Sequence, residues 1–237
     1  MAISDLQLPA DVVSHSLNTP TQLANTLAAE VADALRLAIA ENGQATLVVS
    51  GGRSPVAFFE ALARQQLQWA NVLVSLADER WVPTTHADSN EGLVRRHLLQ
   101  GPAAAARIFG LYFSAPSLDA AAEQADQALQ DLPPIDVLVL GMGDDGHTAS
   151  LFPGSPNLTE ALALDTTRRC LPMLAPTVPH QRLTMTLPLL ASARRTMLAI
   201  QGSSKLATLN QALQIDVPAQ MPVSVFLQSP LEIYWCA

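Results

Sequence analysis

A chain of 237 residues with a formal charge of −8 and two cysteines is large enough to bury its own core without metal or disulfide staples. The negative charge argues against a nucleic-acid groove, which needs a cationic face to neutralise phosphates. No run approaches the ~18 apolar residues of a membrane span, and the start, MAISDLQLPADVV, lacks the basic-then-apolar pattern of a secretion signal, so a cytoplasmic protein is expected.

Along the chain, helix and strand signals alternate. PTQLANTLAAEVADALRLAIAENG has Leu23, Leu27, Val31, Leu35 and Ile39 on one helical face and stops at Asn42-Gly43. ATLVVS (45–50) is a short apolar run, as in a parallel strand covered on both sides. Ser54-Pro55 opens the helix VAFFEALARQQL, proline being tolerated in a first turn. VLVSLA (72–77) reads as the next strand, Asp88-Ser89 caps the helix NEGLVRRHLL, and Ser117 caps LDAAAEQADQAL. IDVLVLG (135–141) is a third buried strand, and the proline-containing stretch 153–181 reads as loops and short helices over the sheet. RLTMTL (182–187) and TMLAIQG (196–202) follow as strands, the second running into Ser203-Ser204 and the helix KLATLNQAL; LEIYWC (231–236) closes the series. Cys170 and Cys236, outside any CxxC, read as small buried hydrophobes of a reduced protein.

This alternation predicts an α/β fold, a doubly wound, mostly parallel sheet flanked by helices, in one domain spanning 1–237. Such sheets bind ligands beyond the carboxyl ends of their strands. Four polar segments fall there: SGGRSP after the first strand, DERWVPTTHADSN after the second, GMGDDGH after the third and GSSK after 196–201.

Each segment has a chemical and a plain reading. In SGGRSP, glycines allow close backbone approach and the helix start offers free N–H groups to an anion, with Ser50 and Ser54 adding hydroxyls; a strand–helix turn that simply needs glycine looks the same. GSSK has the same character and holds Lys205, the lone lysine among thirteen basic residues. GxxxxGK[ST] is absent, and nothing in the chain gives GxGxxG together with its acidic partner, which lowers nucleotide and dinucleotide readings. Asp78, Glu79, Arg80, His86 and Asp88 either meet a ligand or form a solvated, ion-paired loop. A metal held by Asp78, His86, Asp145 and His147 is disfavoured by the absence of HExxH or Cys/His spacing. In the stretch 141–154, GMGDDGHTASLFPG, Asp145 and His147 stand two apart on a tight turn. An imidazole there either satisfies the turn or takes a proton from water, with a neighbouring aspartate fixing its tautomer. His15, His97 and His180 are expected to be solvated or structural.

SGGRSP, DERWVPTTHADSN, GMGDDGHTASLFPG, RLTMTLP and GSSK, in this order and at these intervals, resemble the glucosamine-6-phosphate isomerase/6-phosphogluconolactonase family over about residues 20–235. The run GHTASLFPG and DERxVP with HxDSN are similar to its lactonase branch rather than its deaminase branch; Ser54 stands where the family often has threonine. The resemblance implies His147 as catalytic base with Asp145 beside it, and Asp78 and Arg80 at the sugar-acid end. It implies Ser50, Gly51, Gly52, Arg53, Ser54, Arg182 and Lys205 around a 6-phosphate. It further implies a small-molecule sugar-phosphate lactone as substrate and no cofactor, while ligand spacing, charge and hydropathy lead to the expectation of no metal and of neither nucleic acid nor membrane as partner. An amino-sugar-phosphate isomerase or deaminase using Asp78, and a sugar-phosphate binder without turnover, are the alternatives.

Overall fold

The computed structural model describes residues 2–215 and 217–237. In chain order its elements are β1 (Val12–Leu17), α1 (Pro20–Asn42), β2 (Ala45–Val49), α2 (Val56–Ala63), β3 (Val72–Leu76), β4 (Asp78–Arg80) and α3 (Asn90–His97). Then come β5 (Arg107–Phe109), α4 (Leu118–Ala128), β6 (Val137–Leu140), α5 (Leu158–Leu162), β7 (Cys170–Leu174) and β8 (Gln181–Met185). The chain ends with α6 (Leu187–Ala191), β9 (Arg195–Gln201), α7 (Ser203–Gln214) and β10 (Leu231–Cys236).

α1 forms where capping and periodicity agree. Thr19 accepts from the Gln22 N–H at 3.1 Å, Pro20 takes the first turn, and Gly43, at φ 75°, closes the end by donating to Ile39 at 2.8 Å. Its expected face is the buried one: Leu27, Val31 and Leu35 have no exposed surface. Each such side chain contributes roughly 1.5–3 kcal/mol of burial. The helix lies across β2, β6 and β10 and packs on α2, which in turn meets α3.

Seven strands form one parallel sheet in the order β1-β10-β9-β6-β2-β3-β5. Every residue of β2, β3 and β6 is buried, so helices and loops cover both faces of the sheet centre. From β2 the chain winds outward through β3 to β5, then returns to the other side of β2 with β6 and winds on through β9 and β10. The reversal falls between β2 and β6, and a crevice opens there at their carboxyl ends.

A second, three-stranded antiparallel sheet, β4-β8-β7, grows from the end of β3. It departs from the sequence expectation in two ways. RLTMTL contributes to this sheet rather than the parallel one, and β7 lies within 153–181, expected to be loops and short helices. Pro172 obscures β7 because proline cannot donate to a ladder, yet β7 is an edge strand, where proline is tolerated. β1 was also not expected; only Val12 of its six residues is fully buried and its apolar run is short. His15 sits on this strand, stacked on Tyr234 with ring centroids 4.5 Å apart, in keeping with a structural role. α2 stops at Ala63, short of the expected 67. Among the described residues, no helix is long and apolar enough to cross a membrane.

Candidate active site

The crevice is a cavity of about 310 Å³, the size of a small-metabolite site. It is lined from β2 by Ser50, Gly51, Gly52 and Ser54, from β4 by Asp78 and Arg80, and from the β6 turn by His147. β8 contributes Arg182 and α7 contributes Lys205. Ten of the expected site residues thus fall on or directly behind the lining of one cavity, Asp145 being the one behind. Arg53 does not join them: Gly52, at φ 100°, swings the chain so that Arg53 is exposed and off the wall.

His147 is held by its own turn. Its Nδ1 lies 2.5 Å from Asp145 Oδ1, which also accepts from the His147 backbone N–H at 3.1 Å. A carboxylate only accepts, so Nδ1 carries the proton and Nε2 is left with its lone pair. Partial burial opposes ionisation of Asp145, but the hydrogen bond and charge of His147 outweigh it and hold the carboxyl below its usual range. Gly143 must be glycine for this contact, because a Cβ there would stand 2.1 Å from Nδ1. Phe152, absent from the sequence expectation, packs its ring 4.4 Å from the His147 ring, centroid to centroid, and lies 5.8 Å beneath the Arg182 guanidinium carbon.

The opposite wall is cationic. β4 and β8 place Arg80 directly across from Arg182, a like-charge pairing that disfavours the sheet unless an anion answers it. Burial, then the nearby charge of Arg80, lowers the pKa of Arg182. Arg182 is fixed by donating Nε to the Pro179 carbonyl at 2.7 Å, and Arg80 by donating Nη1 to the Asp88 carbonyl at 2.7 Å. Among the described residues, Arg80 Nε and Ser50 Oγ are buried without protein partners, and the N–H groups at 51–54 donate to no backbone carbonyl. Together with the open first turn of α7 beside Lys205, these donors suit a phosphate-sized anion.

Between the two walls, Asp78 is only 5% exposed and accepts from Ser150 Oγ at 2.6 Å. Ala149, at φ 49°, is the one described non-glycine residue in the left-handed region, a strain of order ~1 kcal/mol that turns Ser150 inward. Asn90 donates to the Asp78 carbonyl at 2.8 Å and packs against Gly51, where a Cβ would lie 1.9 Å from Asn90 Oδ1. Glu79, fully buried, accepts from Ser89 Oγ and from the N–H groups of Arg80, Asn90 and Glu91, tying β4 to the start of α3. Burial pushes its carboxyl up to about 7 against the pull of those backbone donors. Ser150, Asn90 and Phe152 were not foreseen as site residues; the signal was their place inside the motifs HTASLFPG and HADSN. His86, weighed as a metal ligand, is instead exposed beside Asp88, with Nδ1 3.6 Å from Oδ2, off the cavity wall.

The geometry has counterparts among known proteins. Residues 18–235 match the family described as glucosamine-6-phosphate isomerases/6-phosphogluconolactonase. A Pseudomonas putida protein named 6-phosphogluconolactonase is 64% identical over 236 residues, covering 100% of this chain and 98% of its own. A crystal structure of a 6-phosphogluconolactonase from Shewanella baltica is 38% identical and superposes with a TM-score of 0.93, covering 97% of this chain and 100% of that one. A monomeric glucosamine-6-phosphate deaminase, at 21% identity, shares the fold with a TM-score of 0.76, over 94% of this chain and 97% of its own. The chain belongs to the glucosamine-6-phosphate isomerase/6-phosphogluconolactonase family.

Proposed function

We propose that the protein is a 6-phosphogluconolactonase, hydrolysing the ring ester of 6-phospho-D-glucono-1,5-lactone to 6-phosphogluconate in the oxidative pentose phosphate pathway. One observation carries the mechanism: an imidazole fixed through Nδ1, with Nε2 free, in a cavity whose other wall is Arg80, Arg182 and Lys205. His147 Nε2 takes a proton from water as its oxygen attacks C1. Arg80 or backbone N–H groups answer the charge on the carbonyl oxygen, a contribution of about 3–4 kcal/mol per donor in well-studied hydrolases. The C1–O5 bond then breaks and the imidazolium returns the proton to O5. Asp145 holds the ring and stabilises its cation. Ser50 to Ser54 through their backbone, with Arg182 and Lys205, grip the 6-phosphate and set C1 against the water. A lactone is an activated ester, so no nucleophilic serine is required, and GxSxG is absent from the sequence.

The deaminase reading uses Asp78 as the mobile base. Against it, one carboxylate oxygen of Asp78 is tied to Ser150, which belongs to the lactonase-like run HTASLFPG.

Proton release from freshly generated lactone, corrected for spontaneous opening, tests the proposal. Rapid release that falls ~10²-fold or more in His147→Ala, with 6-phosphogluconate still bound, supports it. An unaccelerated reaction, with glucosamine 6-phosphate converted instead, would move the activity to the deaminase branch.

A further inference from the structure

The two adjacent aspartates of the DDG turn face different partners. Asp145 holds the imidazole, whereas Asp144 points toward α7, with Oδ1 2.9 Å from Lys205 Nζ. The Asp144 carbonyl accepts from Thr208 Oγ1 at 3.2 Å, and Thr208 lies one turn beyond Lys205 on α7. The turn that carries the base is therefore docked on the phosphate-side helix at two points. A phosphate that uses Lys205 meets an ammonium already sharing its charge with a carboxylate.

We propose that Asp144 is a competing counter-ion at Lys205, a positioning residue that moderates the grip on the phosphate and so speeds departure of the product. This rests on the assignment of Lys205 to the phosphate. An ammonium has three donors, so Asp144 weakens the phosphate contact without abolishing it. The Asp144 side chain is 73% exposed, so solvent screens the pair and the effect is a few-fold. The phosphate is unchanged by the reaction, hence its grip is the same for substrate, transition state and product. Loosening it raises the Michaelis constant and the product inhibition constant together. Where release limits turnover, it also raises kcat.

The experiment is calorimetric titration of 6-phosphogluconate into the native protein, Asp144→Asn, Lys205→Ala and the double variant, with gluconate as the phosphate-free control. Expected are about two- to five-fold tighter binding to Asp144→Asn, the range of an exposed pair, no gain from Asp144→Asn in the Lys205→Ala background, and no change for gluconate. Equal affinity for native and Asp144→Asn, with Lys205→Ala weakened, overturns the counter-ion role while the phosphate assignment stands. A gain from Asp144→Asn that persists without Lys205 reduces the effect to a general loss of negative charge and overturns it equally. If Lys205→Ala binds 6-phosphogluconate like the native protein, the phosphate assignment itself fails and the counter-ion role falls with it.

Discussion

Gly143→Ala isolates the orientation of the base from its identity. The backbone at Gly143 is not left-handed, so alanine meets no conformational obstacle; the perturbation is steric alone. The added methyl would stand 2.1 Å from His147 Nδ1, 2.2 Å from Cε1 and 2.5 Å from Asp145 Oδ1. Roughly 1 Å of movement is needed to reach ordinary contact, and a displacement of that size at a reacting group costs about 10²-fold in rate. Phe152 packs on the same ring and resists its retreat, so the strain also reaches the fold, at about 1–3 kcal/mol as for other overpacked sites. The assay is initial proton release under saturating lactone, paired with thermal unfolding. Turnover should fall ~10²-fold while 6-phosphogluconate affinity, set on the opposite wall, changes little. Gly141→Ala, where nothing lies within 4 Å, should leave the unfolding midpoint in place. Turnover in Gly143→Ala within two-fold of native would refute the claim that the Asp145–His147 contact positions the base.

Three further outcomes follow from named contacts. Glu79, raised from 4.5 to about 7 by burial, binds a proton more readily in the native than in the unfolded chain. Its contribution to stability is therefore full below pH 4.5 and is lost as pH rises to about 7, at most ~3 kcal/mol. Chemical denaturation across that window should show the decline, and Glu79→Gln should flatten it; an unchanged slope in the variant would refute the assignment. Gly51→Ala drives a Cβ into Asn90, which is 1% exposed and has no room to yield, so the Michaelis constant should rise several-fold, read from the same proton-release assay. Phe152→Ala removes the ring between His147 and Arg182; kcat and substrate affinity should both drop, by about ten-fold or more, and a loss confined to stability would count against a positioning role.

What the sequence made legible depended on how local each signal was. α1 is legible in its five-residue apolar face and its Asn42-Gly43 stop, and the structure keeps both, adding the Thr19 cap at its start. The apolar runs of β2, β3 and β6 announce strands buried on both faces, and the rule that ligands gather at their ends located the crevice. The antiparallel β4-β8-β7 sheet was hidden because β4 has only three residues, all of them charged, and β7 carries a proline. That sheet brings Arg80 against Arg182, residues far apart in the chain, and no local pattern records such a pairing. Arg53 shows the opposite limit: its motif is right, but one backbone angle at Gly52 decides which way it faces. Ser150 and Asn90 belong to motifs that were noticed, yet their partner, Asp78, lies on another element.

The reversal of winding between β2 and β6 also governs how the site comes into being. The pairings Leu47 to Val137 and Val137 to Arg195 join segments remote in sequence, and β6 is only four residues long. Closing loops of that length before any contact rewards them makes such pairing slow. The anion cradle after β2 and the base after β6 face one another only once the short strand seats between its neighbours. During refolding, helical signal should return first and turnover last, in step with insertion of β6, so that enzymatic activity serves as a clock for completion of the sheet centre.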